Sequence, residues 1–187
     1  MKSKIKKRKN CFNVLMFSCF NDKGFGILEV VIATGIITVG MVAVISFITQ
    51  SYYVSQVNKN KFIATMLAQE GIELTRNVRD SNWVGGLAWN QNIVGDGTYR
   101  IDVNSSGAIN IINVSGIDDA LSRLKIDSGL YQHSLGTDTI FYRLITTAND
   151  AASCPAANCL QVTSEVKWSE RGLAKNYAIT VELYNWK

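Results

Sequence analysis

One uninterrupted apolar run dominates the pattern of the chain. Between positions 25 and 48, 17 of 24 residues are apolar, and from Gly24 to Asn58 the only charged side chain is Glu29. As a helix, such a segment rises about 36 Å, enough to cross a hydrocarbon core of about 30 Å. A signal-peptide core is shorter and ends in small residues. The run therefore predicts a membrane-spanning helix rather than a buried core helix. Gly35 and Gly40 lie within six residues of each other inside it. They mark either a stretch where the helix loosens or a surface for close helix packing.

Beyond position 48 the pattern becomes amphipathic. Ile63, Leu67, Gly71, Leu74 and Val78 recur at steps of three and four, flanked by Phe62 and Met66, which predicts a helix with one face on a core. Glu70, Glu73, Arg76, Arg79 and Asp80 supply charge on the other faces. Gly71 interrupts the apolar stripe, so a strand side chain, an aromatic among the options, is expected to fill the space above it. Gly85 and Gly86 close the helical pattern. One continuous helix over about 25–80 would be roughly 84 Å long.

The remainder reads as strands and turns. Candidate strands are 98–104, 108–114, 139–147, 160–168 and 176–186, with Ser169, Glu170, Arg171 and Gly172 as a hairpin loop between the last two. Ile179, Val181 and Leu183 alternate with Thr180, Glu182 and Tyr184. The expected fold is α+β: a long N-terminal membrane-spanning helix whose C-terminal half packs on a small antiparallel sheet. The organisation divides into a leader at 1–24, a spanning helix at 25–48, its amphipathic continuation at 49–80 and a β-rich head at 81–187.

Charge sharpens the picture. Seven of the nineteen basic residues fall in the first 24 positions, against one acid, Asp22; positions 25–187 hold twelve basic and fourteen acidic residues. A basic block directly before an apolar run keeps that end in the cytoplasm. A nucleic-acid-binding body would instead spread Lys and Arg over a folded face, so nucleic acid is not indicated as a partner.

The junction reads Lys23-Gly24-Phe25-Gly26-Ile27-Leu28-Glu29. A basic leader, a Gly, an aromatic residue, a Glu four residues further on and a long apolar run resemble the cleavage and methylation motif of type IV prepilins and type II secretion pseudopilins. Gly26 departs from the Thr or Ser often found there, and the run lacks the proline that kinks many pilin helices. The resemblance covers positions 1 to about 55. It implies cleavage between Gly24 and Phe25 by a membrane prepilin peptidase that also methylates the Phe25 amine. It implies that the subunit rests in the membrane lipid, then polymerises with other pilin subunits through the action of an assembly ATPase and a platform membrane protein. The product it implies is an extracellular or periplasmic filament. Physical chemistry gives Glu29 a matching role. A carboxylate inside a membrane costs about 2.5–3.5 kcal/mol on insertion scales, and the new amine of Phe25, on the same or a neighbouring chain, is its natural counter-ion.

Other chemistry is sparse. Cys11 and Cys19 belong to the leader; a lipoprotein-type cleavage before Cys19 is a rival reading that leaves 25–48 unexplained. Cys154 and Cys159 lie on the exported side, where a disulfide would close a small ring. His133 stands beside Ser134 and near Asp138, but sequence adjacency does not make a triad, and it reads as a loop residue. Asp118, Asp119 and the Gly95-Asp96-Gly97 segment read as turns. Trp83, Trp89, Trp168 and Trp186 read as core or subunit-contact residues. The expectation is a filament subunit, not an enzyme, with no cofactor or metal. Its rival is a single-pass anchor carrying an extracellular binding module, in which Glu29 would have no task.

Overall fold

The computed structural model describes residues 26–93, 95–103, 107–149 and 158–186. It is α+β, with one long helix and a seven-stranded antiparallel sheet. Helix α1 runs over Ile27–Val84, four residues past the expected end. The chain divides into two compact units, Met1–Gln50 and Ser51–Lys187.

In the first unit, the described residues are helical from Ile27 onward and exposed throughout. The helix runs unbroken through Gly35 and Gly40, above which lies open space. Its hydroxyls are satisfied locally: Thr34 Oγ1 donates to the Val31 carbonyl at 3.0 Å, Thr38 Oγ1 to Gly35 at 2.8 Å, and Ser46 Oγ to Val42 at 2.9 Å. Such back-bonding removes the cost of placing these hydroxyls in an apolar medium.

The second unit packs residues of α1 on the sheet. The strands are β1 (Gly97–Val103), β2 (Ile109–Asn113), β3 (Arg123–Asp127), β4 (Leu130–Gln132), β5 (Thr137–Ala148), β6 (Cys159–Glu170) and β7 (Leu173–Tyr184). On one side β5 pairs with β6, which pairs with β7. On its other side β5 is shared. Its first half pairs with β3 through Thr137, Asp138 and Tyr142, and its second half with β1 through Ile145, Thr146 and Thr147. Two hairpins, β1–β2 and β3–β4, thus flank the same strand and leave a fork beside Arg143 and Leu144.

Two turns set the hairpin registers. Arg171 and Gly172 have φ of 51° and 78°, and Ser128 and Gly129 have φ of 50° and 87°. Both are two-residue turns with positive φ at both positions, whose twist suits antiparallel strands. The helix ends by a Gly-centred cap. Gly86 (φ 67°) donates to the Trp83 carbonyl at 3.2 Å and Leu87 to Asn82 at 2.9 Å, the paired bonds that close a helix on a left-handed residue.

The buried face of α1 is rotated from the expected stripe. Leu67, Gly71 and Val78 are buried as anticipated, but their companions are Ala64, Ala68, Ile72, Thr75 and Asn82. Ile63 and Leu74 are only partly buried, and Phe62 is 64% exposed. The face is built mainly from small residues, which bring the helix axis close to the sheet. One apolar cluster gathers Ile72, Val78, Ile93, Ile101, Ile145, Leu160 and Leu183; the other gathers Ala64, Leu67, Ala68, Leu124, Phe141, Val166 and Trp168. Gly71 belongs to neither. A Cβ there would collide with Ser164 Oγ and come within 2.7 Å of Ile145 Cδ1 and 3.3 Å of Arg143 Cδ. The expected close approach is present, made by a serine, an isoleucine and an arginine rather than an aromatic.

Candidate functional site

Gly24, Phe25 and Cys154 lie outside the described residues, as do Cys11 and Cys19. Glu29 lies in the first turn of α1, where acidic side chains suit the helix dipole, and its N–H donates to the Gly26 carbonyl at 3.0 Å. It is exposed, as is every described residue of the apolar helix around it. The best 18-residue window of this helix has a mean hydropathy of 2.5 and is 0% buried. One helix is therefore long and apolar enough to cross a membrane. Among the described residues no side chain covers Glu29. Cys159 opens β6 and is buried.

A second concentration of chemistry lies at the fork of the sheet. Arg143, on β5 between the two hairpins, points to α1 and is 1% exposed. Its guanidinium donates to the Ile101 carbonyl at 3.0 Å and to the Leu67 carbonyl at 3.5 Å, and pairs with Glu70 at 3.2 Å. It lies 3.8 Å from Asp102 of β1. Asp102 also accepts the His133 backbone N–H at 3.2 Å on both oxygens and contacts the ring Nδ1 at 2.6 Å. Arg143 thus supplies donors to carbonyls that the divided sheet and the helix turn leave facing it. Asp102 ties the β1–β2 hairpin to the segment after β4.

Electrostatics follow from this geometry. Burial acts to raise the Asp102 carboxyl, but the His133 hydrogen bond and charge and the Arg143 guanidinium outweigh it. They hold Asp102 below the usual carboxylate range. With a carboxylate as acceptor, His133 Nδ1 is the donor, and Nε2 is buried without a hydrogen-bond partner. A cleft of about 520 Å³ opens beside the cluster, lined in part by Glu70, Asp102, Asp127, Tyr131 and Leu135.

His133 is therefore not the loop residue its sequence context implies. It is 4% exposed and paired across 31 positions with Asp102. Asp138, its sequence neighbour, instead pairs with Arg123 at 3.1 Å, so the adjacent Ser, His and Asp form no relay. Nothing local announced the His133–Asp102 pair. The available signal was a lone Asp in the otherwise apolar stretch Ile101-Asp102-Val103. Asp119 caps a short 3₁₀ turn, Ala120–Ser122, by accepting the Leu121 N–H at 2.9 Å. Asp96 Oδ1 accepts the Asn149 N–H at 3.0 Å. Both act as turn residues. Among the described residues no group of three or more His, Cys, Asp or Glu is arranged to hold a metal ion.

Trp89 and Trp168 are core residues, while Trp186 is 70% exposed and meets Trp83 edge-on at 4.6 Å. The architecture, an N-terminal apolar helix packed through its C-terminal half on an antiparallel sheet, is pilin-like. No family model, no curated protein and no solved structure matches the chain.

Proposed function

We propose that this protein is a structural subunit, a pilin or pseudopilin, of a type IV pilus-like or type II secretion filament. The observation that carries the reading is the uncovered apolar helix with a single carboxylate in its first turn, continued by a segment packed on an antiparallel sheet. A globular domain has no use for the 22 residues of bare apolar helix from Ile27 to Ile48. A simple anchor has no use for Glu29.

In this reading the leader stays in the cytoplasm and the head lies outside. A prepilin peptidase cuts after Gly24 and methylates Phe25. The mature subunit waits in lipid, with its Phe25 amine four positions before Glu29 in the chain. On assembly the amine of one subunit meets Glu29 of its neighbour. The apolar helices exchange lipid for one another, and a buried ion pair fixes their axial register, as a single buried polar group does in coiled coils. A platform membrane protein and an assembly ATPase extract and stack the subunits. The chain is the substrate of these enzymes and does no catalysis itself. A Cys154–Cys159 disulfide closes the segment leading into β6; the burial of Cys159 at the head of that strand supports it.

Intact-mass analysis of membrane-extracted protein tests the reading in one spectrum. The expected mature chain begins at Phe25, carries one N-methyl group and is lighter by two hydrogens for the disulfide. Gly24→Arg should leave the leader attached. A mature chain beginning at Cys19 would refute the proposal in favour of a lipoprotein.

A further inference from the structure

The β6–β7 turn is fastened to one short stretch of α1. The Arg171 guanidinium lies 3.9 Å from the centre of the Tyr53 ring, and Asn60 Nδ2 donates to Glu170 Oε1 at 2.9 Å. Tyr53 follows Ile48, the last residue of the apolar run, by only five positions. Five residues reach about 18 Å when fully extended and about 7.5 Å as helix. If positions 25–48 occupy the hydrocarbon, the covalent chain alone holds Tyr53, and the turn stacked on it, near the headgroup layer. That bound is independent of how the rest of the fold is oriented.

The surface held there has the composition of a membrane interface. Tyr52 is 68% exposed and Leu173, the first residue after the turn, is 63% exposed. Tyrosines concentrate at headgroup depth because the ring is apolar and the hydroxyl is wet. Four exposed cations lie on the same two segments: Arg171 and Lys175 on the hairpin, and Lys59 and Lys61 within about two helical turns of Tyr53. The carboxylate of the turn, Glu170, is bonded to Asn60, and Glu165 lines a pocket with Lys175 further along the hairpin. The remainder of positions 51–187 has the opposite balance, eight basic against twelve acidic residues.

We infer that the β6–β7 turn is a membrane-docking surface, in which Arg171 and the neighbouring lysines meet lipid phosphates while Leu173 and Tyr52 enter the interface. This rests on the reading of 25–48 as a span and goes beyond it, because it assigns a lipid contact to the exported fold itself. A docked subunit must surrender that contact to leave the membrane, so the turn adds to the work of extraction.

The test uses the full chain, with Cys11→Ser and Cys19→Ser, reconstituted at one copy per lipid nanodisc. Spin labels are placed singly through Val42→Cys, Leu173→Cys and Ala178→Cys; the parent without these cysteines reports background labelling. Discs contain either zwitterionic lipid or a mixture with phosphatidylglycerol. The label at 42 should be accessible to oxygen and shielded from a water-soluble nickel reagent. The label at 173 should show intermediate shielding that increases with anionic lipid. The label at 178, about 17 Å further along β7, should be open to nickel. Arg171→Asn keeps a turn sequence suited to positive φ and removes one charge. It should lower the docked-to-free ratio at 173 about fivefold in anionic discs, the effect of one basic residue near such a surface. If 42 is shielded while 173 is as open as 178 in both lipids, the docking inference is overturned and the span survives. If 42 is itself open to nickel, both fall. Shielding at 173 that appears only when copies are crowded in vesicles would assign the surface to a neighbouring subunit and overturn lipid docking.

Discussion

Gly71 shows how one missing side chain organises the helix–sheet contact. Arg143, Ser164 and Ile145 all converge over its Cα, and the two apolar clusters meet on either side of it. A larger residue must displace Ser164 and Ile145 and crowd an arginine held by the Leu67 carbonyl, the Ile101 carbonyl and Glu70. Gly71→Leu should therefore destabilise the fold by at least about 1–3 kcal/mol, the usual cost of overpacking. Thermal melts of the detergent-solubilised chain measure it, and unchanged stability would show that the helix can shift away at no cost. Asp102 has the opposite character, a charge whose neighbours justify its burial. Its carboxyl is held below the ordinary range. Its contribution is therefore complete above the unfolded-state value of about 3.9 and is lost as pH falls through the folded value. Melting temperature should drop on acidification below about pH 4. Asp102→Asn should cost about 3–5 kcal/mol at neutral pH, because Arg143 and His133 lose a buried partner, and should flatten that acid limb. An equally steep limb in Asp102→Asn would assign the acid sensitivity to other carboxylates.

At the scale of elements, α1 presents two kinds of face. Its first part is bare and apolar on all sides, which a membrane or a bundle of like helices can satisfy and water cannot. Glu29 is the exception, and Glu29→Leu makes the segment more apolar, so insertion should be retained. Incorporation into filaments beside wild-type subunits should fall, as judged by the amounts recovered in sheared filament and membrane fractions. Equal incorporation would refute pairing with the Phe25 amine. The second part buries Ala64, Ala68, Gly71 and Thr75, residues too weakly apolar to mark a stripe by hydropathy. Large side chains such as Phe62 and Met66 look like core residues by composition and are exposed. The helix end was visible in Gly85-Gly86 because a left-handed cap needs glycine at Gly86. Strand β4 escaped notice because three residues are too few for alternation to emerge, whereas β3 does alternate, with Leu124 and Ile126 between Arg123, Lys125 and Asp127. The Ser128-Gly129 turn is a further local mark of that hairpin.

At the scale of the whole molecule, the reading as a filament subunit makes processing and assembly separable. Gly24→Arg should abolish both, whereas Glu29→Leu should leave a chain beginning at Phe25 that fails only in the filament; mass and filament yield measured on the same cells distinguish them. The sequence by itself determined the long apolar helix, its single carboxylate, the basic block before it, the amphipathic continuation and five of the seven strands. These depend on residues close together in the chain, where periodicity and charge order are read directly. The rotation of the buried helix face, the fork of β5 between two hairpins, and the Arg143–Asp102–His133 cluster were decided only by the tertiary structure. Asp102 and His133 are 31 positions apart, and Arg143 is 76 positions from the Leu67 carbonyl it bonds. A buried charge can be tolerated only where the fold brings its partners to it, and no local pattern encodes which distant strand will do so.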